Sequence, residues 1–266
     1  MHKVIITITL VAFPFIYAVS QNNDSNAKNS WEKYIHIEAG FIYPGGTIKE
    51  NISVRQNISY YYDYQYSNGN IYSETSGLAL ALSYEYYLPK IKSGISTGLR
   101  FTGLMTDISG YTSSSSDFFY LRYSMENSDT KFARVKSLNE VNYLLSIPLE
   151  FKFIPFRYKN LSLFVKAGIE YSIIRLKSNV DIVFQENSMD EHKDEILSII
   201  TEPTNKNIAA LYSSIGFRLG KEGKPNYVFE TLLPSFYLTK NNFALVDIDN
   251  ISGFRLSIQF PVNNKK

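Results

Sequence analysis

Tyr143-Leu144-Leu145-Ser146-Ile147-Pro148-Leu149-Glu150-Phe151-Lys152-Phe153 is the stretch that decides the fold. Tyr143, Leu145, Ile147, Leu149, Phe151 and Phe153 alternate without a break. That period of two is what a β-strand with unlike faces must show. The other parity carries Ser146, Glu150 and Lys152, so one face is apolar and the other charged.

Seven more stretches of the same kind flank it. The alternation predicts strands over 34–43, 77–88, 93–105, 142–153, 161–176, 209–220, 227–238 and 251–260. In 227–238, Tyr227, Phe229, Leu233 and Tyr237 share the apolar face, and Pro234 signals a bulge. Connections alternate in length. Residues 44–76, 107–138, 177–207 and 239–250 read as long loops, whereas 89–92, 157–160 and 221–225 read as tight turns. Long loops on one side and short turns on the other are the layout of an up-and-down transmembrane barrel. The expected fold is therefore all-β: one antiparallel up-and-down barrel of eight strands, or ten if part of 48–66 pairs as a hairpin.

The N-terminus supplies an address. Met1-His2-Lys3 is a basic start, 4–19 is uncharged and mostly apolar, and Ala18-Val19-Ser20 fits a signal-peptidase site before Gln21. This divides the chain into a cleaved signal peptide (1–20), a polar leader (21–33), the barrel (34–260) and a short polar tail (261–266). The apolar run is shorter than the ~20 residues a spanning helix needs. A cell outer membrane of the Gram-negative type is the implied location, with membrane lipid and the barrel-assembly machinery as partners.

Composition narrows the function classes. Lys and Arg number 27 against 25 Asp and Glu, and this near-neutrality excludes a nucleic-acid binder with a concentrated basic face. No cysteine is present, so there is neither a disulfide framework nor a thiolate metal site. The 21 tyrosines and 18 phenylalanines suit aromatic girdles at two membrane interfaces.

If the apolar parity meets lipid, the opposite parity fills the lumen. Its charged members are Glu38, Glu85, Glu150, Glu170 and Glu230 against Arg100, Lys152, Lys166, Arg218 and Arg255. An eight-stranded barrel is just wide enough for side chains to fill, so such groups need partners. Hairpins turning about 158 and 224 pair Glu150 with Lys166 and Arg218 with Glu230. Gly94, Gly98, Gly168 and Gly216 share this crowded face. The alternative is a secreted soluble calycin-like barrel with its apolar face inward, and a small passive pore is a further one.

The Tyr143–Phe153 strand resembles the IPL-bearing strand of the porin-like outer-membrane β-barrel domain of Bacteroidetes, often called PorT-like. Leu161-Ser162-Leu163-Phe164-Val165-Lys166-Ala167-Gly168 and Gly253-Phe254-Arg255-Leu256-Ser257-Ile258-Gln259-Phe260 are also similar to strands of that family. The resemblance implies the fold and the location, and no shared ligand or activity. Six residues follow Phe260, whereas such barrels typically end on the aromatic residue that the assembly machinery reads.

No catalytic constellation is present. Barrel enzymes use His/Asp or His/Ser sets near the rim, and beyond the signal segment only His36 and His192 remain. His36 reads as a structural polar residue of the lumen. His192, among Asp190, Glu191, Asp194 and Glu195, reads as part of a solvated loop with a short helix through Ile200, without metal-ligand spacing. Neither a metal nor a cofactor is expected. Tyr60, Tyr61, Tyr62, Tyr64 and Tyr66 form the candidate surface-binding loop, since tyrosine offers rigid amphipathic contact area to a glycan or protein.

Overall fold

Ten strands, all antiparallel to their neighbours, make one sheet that closes on itself. The computed structural model describes residues 31–50, 52–55, 71–110, 118–123, 130–221 and 224–262. The strands are β1 (Glu32–Ile48), β2 (Ser53–Arg55), β3 (Ile71–Leu88), β4 (Ser93–Gly110), β5 (Phe119–Tyr123), β6 (Lys131–Tyr158), β7 (Leu161–Phe184), β8 (Ile208–Leu219), β9 (Asn226–Tyr237) and β10 (Val246–Pro261). The ring runs β1, β3, β4, β6, β7, β8, β9, β10 in chain order, and β10 pairs back onto β1. This is an eight-stranded up-and-down barrel. The other two strands stand outside the ring, with β2 on β5 and β5 on β6. A ten-strand ring through 48–66 is thus corrected: Ser53–Arg55 pairs with β5 rather than with a barrel neighbour.

Faces follow the alternation. Leu80, Leu99, Leu149, Val165 and Ile215 point away from the barrel axis, each more than a third exposed, while Ser96 and Ser214 are buried inside. Tyr237 is a correction. The chain bulges around Pro234, where Leu211 pairs with Phe236 but Ser213 with Leu233. The parity slips there, turning Phe236 and Leu238 outward and Tyr237 towards the lumen.

The larger departure is in strand length. β6 has 28 residues and β7 has 24. At about 3.3 Å per residue β6 is roughly 90 Å long, whereas a tilted strand crosses a hydrocarbon layer in about 9–11 residues. Much of 107–138 and 177–207, expected as loop, is therefore strand rising beyond the barrel. These extensions, with β2, β5 and helix α1 (Lys193–Ile200), enclose their own apolar core of Ile108, Leu121, Val135, Leu138, Ile182, Ile196, Ile200 and Leu245. We call this unit the cap. The opposite end has only short connections: a 3-10 turn at Pro89–Ile91, a two-residue turn at 159–160, and 220–225. Residues 1–30, 56–70 and 263–266 lie outside the described residues, and with them the signal segment and Tyr60, Tyr61, Tyr62, Tyr64 and Tyr66.

Candidate functional site: a layered, charged lumen

The interior is stacked in three layers. Nearest the short turns lie Tyr34, Tyr87, Ile154, Phe164 and Val228. A charged layer follows. Above it Ile42, Leu104, Leu144, Ile208, Tyr212, Leu232, Phe243 and Ile248 pack together beneath the cap.

All ten charged residues of the inward parity face this interior, and all but Glu170 are buried. Glu150 is the hub. Its carboxylate accepts from Ser96 (3.0 Å), Arg100 (3.0 Å) and the Tyr212 hydroxyl (2.5 Å), and Lys166 lies at 3.1 Å. Arg100 reaches three strands, donating to Glu38 at 3.1 Å, to Glu150, and to Glu170 at 2.5 Å. Lys166 also donates to Glu230 at 2.6 Å, and Arg255 lies 3.4 Å from Glu230 and 3.5 Å from Glu38. Nearer the short turns, Lys152 donates to Glu85 at 2.5 Å, and His36 Nε2 lies 2.6 Å from the same carboxylate. Charges withdrawn from water cost several kcal/mol each unless geometry and hydrogen bonds compensate, which is why nearly every member has several partners.

Lys152 and Lys166 are directly opposed across β6 and β7, a like-charge pairing that should repel. Each ammonium sits over the face of Phe164, at 5.8 and 5.9 Å from the ring centre, and each has a carboxylate on its far side. The ring has room because residue 216 is glycine: a Cβ there would meet Phe164 Cζ at 2.4 Å and the Phe229 carbonyl oxygen at 2.3 Å.

The pairing of Arg218 with Glu230 is corrected. Arg218 lies opposite Val228, and Glu230 opposite Gly216. The β8–β9 register is centred one residue earlier in the chain than expected, and such a shift moves a partner by two while keeping the face. Glu150 likewise lies opposite Gly168, but its ion pair with Lys166 survives as a diagonal contact. Two functional side chains escaped the sequence reading. Tyr212 lies on the inward parity of β8, a sufficient signal, and its ring also receives the Arg100 and Arg255 guanidinium groups at 5.6 and 5.0 Å. Glu140 fell beside an expected loop and gave no signal.

Glu140 fixes the lid. Fully buried, its carboxylate accepts from the backbone N–H of Ala244 and of Leu245, each at 2.8 Å, and from Asn142 at 2.8 Å. These bonds fold 239–245 inward, so that Phe243 and Leu245 have no exposure. Asn242 braces the strap through both Ile248 backbone groups (2.8 and 3.0 Å), and Arg175 holds the Asn242 carbonyl and Thr204. Between lid and charged layer remains a cavity of about 30 Å³ beside Arg100, Glu170 and Tyr237. At that size it takes water and excludes a solute.

His192 is exposed, 3.7 Å from Glu191 and 3.8 Å from Glu195, and among the described residues no group of three or more His, Asp or Glu gathers as a metal site.

Fold and interior together define a closed β-barrel with a filled, charge-balanced lumen. No protein-family model and no curated protein matches the chain. Among solved structures, the outer membrane protein OprG from Pseudomonas aeruginosa is similar at 10% identity and a TM-score of 0.39, over 86% of this chain and 96% of that one. The Escherichia coli outer membrane protein W matches at 9% identity and 0.32, over 88% and 99%. The transport unit of the E. coli autotransporter AIDA-I matches at 8% and 0.25, over 92% and 96%.

Proposed function

We propose that the protein is a non-enzymatic outer-membrane barrel whose lumen is sealed and whose cap stands outside the cell as a binding platform. The observation that carries this reading is the polarity of the wall. Every ring strand turns large apolar side chains outward, for example Ile37, Leu80, Leu99, Leu149, Ile169, Ile215, Phe229 and Leu256, and at the level of these residues the charged side chains such as Glu38, Arg100, Glu150, Lys166, Glu230 and Arg255 lie inside. On β6 the outward apolar run from Tyr143 to Phe151 is nine residues, the length that crosses a hydrocarbon layer at the usual tilt. Water would penalise such a belt, because monomeric soluble proteins rarely expose apolar patches beyond a few hundred Å². Backbone pairing closed around the ring also meets the demand that lipid makes of any sheet.

On this reading the short turns and both barrel termini face the periplasm, and the signal segment and the likeness to PorT-like strands fit the same location. The lumen serves as a strut. Apolar layers and a cross-linked charge layer leave a water-sized cavity, which argues against a passive pore. The cap is the part free to engage an extracellular glycan or protein ligand.

Spin labels test the orientation. A label at Leu149 is expected to be quenched by lipid-soluble oxygen and shielded from an aqueous nickel chelate, and a label at Arg134 to behave in the opposite way. Aqueous access at Leu149 would refute the membrane assignment. Planar-bilayer recordings of the purified barrel should show no steady conductance.

A further inference from the structure

Among the described residues, Arg218 is the lumen cation without a carboxylate at ion-pair distance. The central cluster joins Glu38, Glu150, Glu170 and Glu230 to Arg100, Lys166 and Arg255, and Glu85 pairs with Lys152. Among the described residues no acid lies within ion-pair distance of Arg218, which is 3% exposed. Its Nε and Nη1 have no hydrogen-bond acceptor. The face of Tyr87 lies 5.8 Å from its guanidinium, and Lys152 is near enough to repel it. A buried lysine could relieve this by losing a proton, but a guanidinium cannot.

Its surroundings hold one more unpaired donor, Asn226 Nδ2, beside two unpaired acceptors, Asn226 Oδ1 and Gln259 Oε1. Asn226 opposes Gly220, one inward position from Arg218 along the strand, and neither polar atom of its buried side chain is satisfied. Gln259 lies opposite Asn226 and has an unpaired Oε1. Ser162 lies opposite Arg218, and its hydroxyl accepts from Arg157 at 3.2 Å at the rim. Three adjacent strands, β7, β8 and β9, thus bring a hydroxyl, a fixed positive charge and an amide donor to the short-turn end.

We propose that Arg218, Asn226 and Ser162 form a seat for one small inorganic anion, of the chloride or phosphate class, entering by that mouth. The anion would give Arg218 a counter-charge at contact distance, the guanidinium supplying charge-assisted hydrogen bonds and Asn226 a neutral one. Compactness follows from the burial: Arg218 is buried and the Tyr87 ring lies against it.

The test is the unfolding equilibrium of the full barrel in vesicles, in sodium chloride, phosphate or gluconate at constant ionic strength. For the wild type, the folding constant should rise about tenfold per tenfold rise in chloride or phosphate once the site is filling, and stay flat in gluconate. Arg218→Met should abolish that dependence while the barrel still folds, because an apolar side chain needs no counter-ion. Equal responses of wild type and Arg218→Met, or a wild type indifferent to anion identity, would overturn the proposal. If Arg218→Met does not fold, crystals of the wild type grown in bromide decide. An anomalous peak within hydrogen-bond distance of Arg218 supports the seat, and none there refutes it.

Discussion

One strand presents two kinds of outer face. Along the lower part of β6, Tyr143, Leu145, Ile147 and Leu149 point outward and Ser146, Glu150 and Lys152 inward. Along its upper part the arrangement inverts, with Ala133, Val135 and Leu138 buried and Arg134 and Lys136 outside. Backbone and pairing are continuous between them, broken only by small register shifts such as that between Val135 and Ser137. The hydrogen-bond ladder is therefore indifferent to which face is apolar. On the membrane reading proposed above, the medium outside decides: hydrocarbon drives charges inward, and water drives them out.

The sharpest way to break this contrast is at the hub of the polar interior. Glu150→Ala removes the carboxylate that Arg100, Lys166 and Tyr212 share and leaves one positive charge in excess in the buried lumen; it should cost about 3–5 kcal/mol of barrel stability, whereas a mutation removing charges on both sides should cost much less. Urea titration in lipid vesicles, read by heat-modifiable gel mobility, measures it. Next in size is the outward face at mid-belt. Leu149→Arg should lose about 2–4 kcal/mol in the same assay, because its charge meets hydrocarbon.

Glu140 stands where the two regimes meet. Glu140→Ala leaves the amide groups of Ala244 and Leu245 without their acceptor, at about 1–3 kcal/mol each. Hydrogen exchange should show 239–245 opening while the ring strands stay protected. Proteolysis within that strap, in an otherwise heat-resistant barrel, would be the matching result. The smallest effect belongs to the outward face of the cap. Arg134 stacks near Phe118 and Tyr120 and lies 3.3 Å from Glu186, but all of this is exposed to water. Arg134→Ala should change stability by no more than about 0.5 kcal/mol. A loss comparable to Leu149→Arg would mean that the cap also meets lipid.

The same contrast explains what the sequence makes legible. Between about 142 and 153 every second residue is apolar and the intervening face carries charges, so strand, face and lumen membership follow directly. Above that zone, Ser137, Asn139 and Asp107 mix with apolar residues on both faces and bulges interrupt the period, so these segments read as loop although they are strand. Parity places Arg218 and Glu230 in the lumen but is blind to which meets which, because partners depend on the turn centre to within one residue. Glu140 is legible only in three dimensions: the amides it holds are about a hundred residues away in the chain.

The seam between β1 and β10 has a consequence for biogenesis. The ring closes by pairing Tyr34 with Pro261 at one end and Ile48 with Val246 at the other, uniting the first and last strands. Every other ring contact joins strands adjacent along the chain, so a growing chain can add hairpins one by one as a curled, open sheet. Until β10 is released, β1 presents a long unpaired edge, an invitation to other extended chains. Closure is thus a single late event with high sequence separation, and a slow one. A chain truncated before Val246 would retain most of its hairpins and yet leave the ring open, because the sixteen residues of β10 are the ones that pair back onto β1.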